Sequence, residues 1–290
     1  MRGAKFARLW LWMRLCGVAA AVSLVVAAPT ALAQDYIRVV PPYPPAPPPP
    51  AAPVGKALAA NVTAVSYLVF ELDSGKTIAE KDSEVKRPIA SLTKMMTVMV
   101  ALDRLTFGRK YALTPKEQKV FGAPRLDLMM LLRLALIPSN NQAADVLARL
   151  SAGDIQSFAR LMNAKAVELG MRGSHFTNAS GLTNGDQFST ASDLAVLTKK
   201  LLAQPVLRRI VAEDQVVVAG KVYKTTLKLR ARHREITGVK TGYTRPAGRC
   251  LVLSVERPPT TYVLVMLGSR SIPQADVDAE TILRFYGVLP

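Results

Sequence analysis

From Lys94 to Leu102 the chain reads Lys-Met-Met-Thr-Val-Met-Val-Ala-Leu, a run that is apolar nearly all round. A helix of that kind has no face to give to water, so it is buried on every side rather than laid on a surface. Other elements must enclose it, and its lysine goes inside with it.

The sequence around this run supplies two kinds of cover. Ahead of it, Val65–Leu72 is rich in β-formers, ends at Asp73-Ser74-Gly75-Lys76, and is followed by Thr77–Glu80, the pattern of a hairpin with a glycine in its turn. Behind it lies a helical block. Leu126–Ile137 and Asn141–Leu150 read as helices. Asp154 caps Ile155–Leu169, whose apolar residues share one face, and Gly170 stops it. Thr190 with Asp193 opens Ala191–Leu202. β-Character returns at Gln215–Val218, Val239–Tyr243, Arg249–Val255 and Thr261–Leu267, the last two parted by Arg257-Pro258-Pro259; Asp276–Tyr286 closes as a helix. Strands, helices, strands, helix is the order of an α+β domain. Its antiparallel sheet is flanked by terminal helices, and a mostly helical region is inserted on the other side.

Three short motifs fall on these elements in one order: Ser91-Leu92-Thr93-Lys94, Ser139-Asn140-Asn141 and Lys240-Thr241-Gly242. Ser91 opens the buried helix, and residues three apart share a helix face, so Lys94 can reach Ser91 Oγ. Burial lowers the lysine's pKa and makes it a usable base, while amides at a helix start face a developing oxyanion. The decoy Ser83-Glu84-Val85-Lys86 runs into Arg87-Pro88, which opposes helix continuation. Ser139 and Asn141 follow Pro138 at a helix break, where a hydroxyl and an amide can enter a cleft to relay a proton and hold Lys94 or a substrate amide. The plainer reading of that triplet is a helix cap. On a strand, Lys240 and Thr241 can bind a terminal carboxylate, and Gly242 lets substrate lie along the strand edge. The plainer reading there is a solvated strand lysine.

Taken together, these residues resemble the penicilloyl-serine transferases, specifically the low-molecular-mass D-alanyl-D-alanine peptidases of peptidase family S11. Arg87–Thr97 is similar to that family's nucleophile segment. Asn163–Ala166, Leu169–Met171, His175–Asn178, Gly181-Leu182 and Ser189–Ala191 are similar to its central block, and Gly238–Thr244 with Ala247–Val252 to its clamp strand. The resemblance spans about residues 60 to 287 and implies a serine β-lactamase-like fold. It implies Ser91 as acyl-ester nucleophile, Lys94 as proton acceptor and Ser139 as proton relay. Asn141 then positions the substrate amide, Lys240 and Thr241 bind its carboxylate, and the amides of Ser91 and Tyr243 form the oxyanion hole.

The implied function is a penicillin-sensitive D-alanyl-D-alanine carboxypeptidase. Its substrates are peptidoglycan stem peptides, β-lactams are covalent inhibitors, and it needs no cofactor or metal. Two departures keep a D,D-endopeptidase acting on cross-links in view. Only 48 positions separate Ser91 from Ser139, with the missing stretch near Phe121–Arg125, and the sequence stops at Pro290 soon after the closing helix, as in single-domain cross-link cutters. A class A-like β-lactamase needs a deacylating glutamate within Glu-x-x-Leu-Asn, a context that Glu168, Glu213 and Glu235 lack. A non-catalytic wall-binding protein conflicts with intact Ser91, Lys94, Ser139 and Lys240.

Export fits this function. Residues 1–33 combine cations (Arg2, Lys5, Arg8, Arg14), an apolar run Leu15–Ala28 and Ala31-Leu32-Ala33, the layout of a signal peptide cleaved after Ala33. Retention as an anchor is the alternative. The expected location is therefore the periplasm or cell envelope. Cleavage removes Cys16, so the one remaining cysteine, Cys250, has no partner and reads as a buried small hydrophobe. Residues 34–54 are a Pro-rich linker, an extended spacer ahead of a catalytic domain at 55–290. The formal charge is +17, or +13 without the four leader cations. That surplus suits peripheral contact with anionic envelope components; export and the lack of a binding motif argue against nucleic acid. His175 and His233 lack ligand-spaced partners, which argues against a metal.

Overall fold

The computed structural model describes residues 62–182 and 186–290. The leader, its cleavage point and the Pro-rich linker lie outside the described residues. In chain order the elements are β1 (Ser66–Glu71), β2 (Thr77–Lys81), α1 (Thr93–Arg104), β3 (Lys110–Ala112), α2 (Pro115–Phe121), β4 (Arg125–Asp127), α3 (Leu128–Leu136), α4 (Asn141–Ala152), α5 (Ile155–Glu168), α6 (Ala191–Leu202), α7 (Pro205–Val211), β5 (Gln215–Val218), β6 (Lys221–Lys224), β7 (Ile236–Thr244), β8 (Gly248–Arg257), β9 (Thr260–Ser269) and α8 (Ile272–Phe285).

Five strands form one antiparallel sheet in the order β2-β1-β9-β8-β7, which leaves β7 as an edge. Strict alternation along β8 and β9 splits their side chains between two cores. Leu251, Leu253, Leu264 and Met266 meet Ala275, Ala279, Ile282 and Leu283 of α8 on one face. Val252, Val263, Val265 and Leu267 meet the helical region on the other. The fold is therefore the α+β arrangement read from the sequence, with α8 as the terminal helix against the outer face. Among the described residues, no helix is long and apolar enough to cross a membrane.

Helix α1 is enclosed as its composition requires: Thr93 through Ala101 are all buried, Met95 and Met96 without any exposure. Each of the buried methionines and valines contributes about 1.5–3 kcal/mol. Asn140, Asp154 and Thr190 cap α4, α5 and α6 by accepting the backbone N–H of Ala143, Ser157 and Asp193.

Two short helices went unread in the sequence. Thr114 and Glu117 close a capping box at the start of α2, and Pro115 and Pro205 stand at the first turns of α2 and α7. With only 7 residues apiece, neither is long enough to show a period. One correction falls at the nucleophile segment. Ser91 does not sit in the long helix but in a 3₁₀ turn, Ala90–Leu92, that leads into α1.

Candidate active site

Ser91 is half-buried at the mouth of the space between sheet and helical block. The turn that holds it is tight, with Ala90 in the left-handed region at φ 47°. A residue with a Cβ stays there only when its surroundings hold it, at a cost of about 1–2 kcal/mol. Two contacts do so: Thr93 Oγ1 donates to Ala90 O at 2.8 Å, and Gly181 lies so close that a Cβ there would stand 2.0 Å from Ala90 O. Gly181 itself has φ 84°, so its bare Cα serves both the turn and the approach.

Lys94 is fully buried, and its three N–H donors are all used. Nζ donates to Ser91 Oγ at 2.8 Å, Asn141 Oδ1 at 2.7 Å and the carbonyl of Ser180 at 2.6 Å. The short reach to Ser91 survives the correction above because the 3₁₀ turn still places residues three apart on one side. Burial pulls the Lys94 amine down from its ordinary 10.5 to about 7, opposed by the carboxylate of Asp145 on α4. At neutral pH both protonation states are populated. In the neutral state the lone pair can accept the Ser91 proton.

The Ser180 carbonyl was not found from the sequence. It is delivered by the turn Asn178–Gly181, where Asn178 Oδ1 accepts the N–H of Ser180 at 3.2 Å and of Gly181 at 2.7 Å. Asn178 and Gly181 entered the sequence reading only as parts of segments similar to the family's central block, and nothing in a side-chain pattern announces which carbonyl a turn will present.

Ser139 occupies the break between α3 and α4 with φ 60°, again left-handed. The next residue, Asn140, takes the cap, which frees Asn141 to reach Lys94. The cap and the cleft group are thus neighbours in one triplet. Ser139 makes no hydrogen bond to Lys94, whose donors end on the three acceptors above.

Lys240 and Thr241 lie mid-strand on β7, 1% and 2% exposed. Lys240 Nζ donates to Thr241 O at 2.8 Å, and among the described residues the charges acting on it are those of Lys94 and Arg249. Burial first, then the charges of Lys94 and Arg249, hold its amine well below the usual lysine range. Thr241 Oγ1 is 2.7 Å from Thr226 Oγ1, and Thr226 N donates to Ile137 O at 3.2 Å, which ties β7 to the loop carrying Ser139. Thr226 is a second residue that the sequence did not single out. Gly242 brings β7 against the nucleophile turn: a Cβ at Gly242 would stand 2.9 Å from Ser91 N. Tyr243, the next residue, is half-exposed at the rim.

The decoy separates cleanly. Ser83 Oγ donates to Glu80 at 2.7 Å, and no helix follows it. Cys250 is buried and free, and burial pushes its thiol up to about 11.

The model of the D-alanyl-D-alanine carboxypeptidase family, Peptidase_S11, matches residues 53–271. D-alanyl-D-alanine carboxypeptidase DacF of Bacillus subtilis is 27% identical over 77% of this chain; the chain spans 61% of that relative's length. A D-alanyl-D-alanine endopeptidase of Escherichia coli is 33% identical over 66% of this chain and 67% of its own length. The structure of penicillin-binding protein D2 from Listeria monocytogenes in its ampicillin-bound form superimposes with a TM-score of 0.71 at 26% identity, covering 78% of this chain and 98% of that one.

Proposed function

Because the chain belongs to the D-alanyl-D-alanine carboxypeptidase family, peptidase family S11, we propose that it is a penicillin-sensitive serine D,D-carboxypeptidase acting on peptidoglycan stem peptides. The observation that carries this reading is the Lys94 amine, 2.8 Å from Ser91 Oγ and lowered to about 7 in an enclosed site.

In the proposed reaction, neutral Lys94 takes the Ser91 proton while Oγ attacks the carbonyl of the penultimate D-alanine. The amides of Ser91 and Tyr243 receive the oxyanion. The C–N bond breaks, and the leaving amine collects the proton from Lys94 through the Ser139 hydroxyl, which has to close on Lys94 from the α3–α4 break once substrate is bound. Water then adds to the acyl ester, giving its proton back along the same path and releasing Ser91. Asn141 holds Lys94 and the substrate amide, Gly242 leaves room along β7, and Lys240 with Thr241 binds the terminal carboxylate.

A β-lactamase reading gains little from the acids. Arg133 holds Glu213 through both carboxylate oxygens, and Glu168 pairs with Lys165. The second reading is D,D-endopeptidase action, favoured by the 33% identity to a relative that bears that name. For the segments outside the described residues, the proposal keeps a leader cleaved after Ala33, a spacer at 34–54 and an enzyme exported to the periplasm or envelope.

A fluorescent penicillin should label the mature protein covalently, with labelling lost in Ser91→Ala and kept in Ser83→Ala. The reverse pattern would sink the choice of serine. Mass analysis of monomeric and cross-linked muropeptides after incubation separates the two peptidase readings.

A further inference from the structure

Beside the clamp strand opens a groove of about 710 Å³. Lys224 at the end of β6, Lys228 and Arg230 in the following turn, and Arg234 ahead of β7 line it, against a single carboxylate, Asp214. Arg230 Nη1 lies 3.0 Å from Asp214 Oδ1, and Arg230 Nε is buried without a hydrogen-bond partner. Lys224, Lys228 and Arg234 are exposed. The neighbouring ion pairs engage Arg230 with Asp214 and Arg232 with Asp276 and Glu280; Lys224, Lys228 and Arg234 form no ion pair among the described residues, and the charge of Lys228 also reaches Asp276. Cations crowded along one concave wall with too few acids are built for an anion.

The groove is joined to the centre by one short segment. Thr225 and Leu227 line it, and between them Thr226 Oγ1 stands 2.7 Å from Thr241 Oγ1. A peptide with its scissile carbonyl at Ser91 and its leaving residue's carboxylate at Thr241 runs toward Thr226. Whatever is attached to the leaving residue then starts from the Thr226 side of the cleft, one residue from Thr225 and Leu227 of the groove wall. Free D-alanine has nothing further to place there, whereas the second stem peptide of a cross-link carries more carboxylates.

We propose that this groove is a leaving-side subsite that holds the carboxylate-bearing peptide released when a cross-link is cut. The inference rests on the second reading above, D,D-endopeptidase action at the same serine, and extends it to the substrate's far half.

The test uses the double variant Lys228→Gln/Arg234→Gln, both exposed, on three soluble substrates: a pentapeptide, a cross-linked dimer, and that dimer with the leaving peptide's carboxylates amidated. Efficiency on the dimer should fall roughly three- to tenfold, the sum of two solvated charge contacts, and the loss should fade at high salt. The pentapeptide and the amidated dimer should change by less than about twofold, since neither brings a carboxylate to the groove. A wild-type enzyme unable to cut the dimer overturns the subsite, as does an equal loss on all three substrates. Weaker retention of the variant on a phosphate-rich wall polymer, with unchanged cleavage of every substrate, overturns it in favour of anchoring. Penicillin labelling of Ser91 in parallel separates the levels. Labelling with unchanged dimer cleavage removes the subsite alone, whereas no labelling removes the serine chemistry and the subsite with it.

Discussion

Two lysines among the described residues are buried with no carboxylate hydrogen-bonded to them, one at the head of α1 and one in the middle of β7, and they are buried differently. Lys94 has an acceptor for each of its protons: a hydroxyl, an amide oxygen and a carbonyl. Lys240 has one, the carbonyl of the next residue. Satisfied and lowered to about 7, Lys94 can lose and regain a proton without its surroundings rearranging. Lys240, its amine held well below the usual lysine range, is short of partners beside a hydroxyl, and an anion entering the cleft completes its shell and favours its charged form. In the proposed reaction the same desolvation serves one lysine as a base and the other as a receptor, and the partner set decides which.

If that contrast is right, the largest effect belongs to Lys94. Lys94→Met should slow acylation by a fluorescent penicillin by about 10²–10⁴-fold, the range of a general base. The same variant should be no less stable than the parent near pH 7. The folded protein releases the Lys94 proton near 7, while the unfolded chain holds it to about 10.5. Parent stability therefore rises with pH between those values, because the unfolded state binds more protons there. The gain from Lys94→Met, a few kcal/mol at most, should shrink as pH climbs through that window. Denaturant titrations at pH 7 and 9.5 check it; a gap that stays constant between them would show that the folded amine is held charged, because both states then bind the proton across that range.

Lys240 should act through substrate charge instead. Lys240→Ala should lose roughly ten- to a hundredfold in kcat/KM on a D-alanyl-D-alanine carboxylate, equivalent to about 1.5–3 kcal/mol for a charge-assisted bond. On the same peptide with its C-terminus amidated, the penalty should shrink. Protein variant and substrate variant form a double cycle, and additivity between them removes the clamp assignment.

How far the sequence could be read follows the same division between side chain and backbone. The roles proposed for Ser91, Lys94, Asn141, Lys240 and Thr241 were legible because they belong to side-chain types set at motif spacing; in the structure Lys94 meets Ser91 and Asn141, and Lys240 and Thr241 lie on β7, which Gly242 brings against Ser91. Helix α6 was read to its ends because Thr190 and Asp193 form a cap that sequence displays. What stayed hidden was carried by main chain or by distant loops. Any residue can supply the carbonyl that Ser180 gives to Lys94, and Thr226 meets Thr241 only through a fold in which 15 positions of chain return on themselves. Strand β6, Lys-Val-Tyr-Lys, escaped because neither of its faces is buried, so no alternation marks it. The 3₁₀ turn at Ser91 escaped because an α-helix and a 3₁₀ turn put the same residue three positions on within reach.

The turn behind Lys94 offers the next test of the contrast. Gly181→Ala sets a Cβ at 2.0 Å from Ala90 O and asks alanine to hold φ 84°. Backbone rather than a flexible side chain is in the way, so the loss should be about 2–4 kcal/mol. Acylation should fall further than stability alone explains, since the same turn presents Ser180 O to the amine. A variant as stable as the parent would mean that the turn relaxes without strain.

The smallest effect expected is at Asp145, the carboxylate that opposes burial at Lys94. Lys240, the other charge facing this amine, is unchanged in the variant. Removing a negative charge disfavours the ammonium, so Asp145→Asn should move the Lys94 pKa below about 7. Acylation needs the neutral amine, and its rate rises with pH through that value. The rising limb should therefore shift to lower pH in the variant. At pH 6 acylation should quicken by about two- to fivefold, a modest solvent-screened charge effect, while at pH 8, where the amine is already neutral in both proteins, the rates should coincide. A pH series of penicillin acylation read under single-turnover conditions resolves the limb directly. A limb that moves upward, or a rate lowered equally at both pH values, would mean that Asp145 acts by holding α4 in place and not by its charge on Lys94.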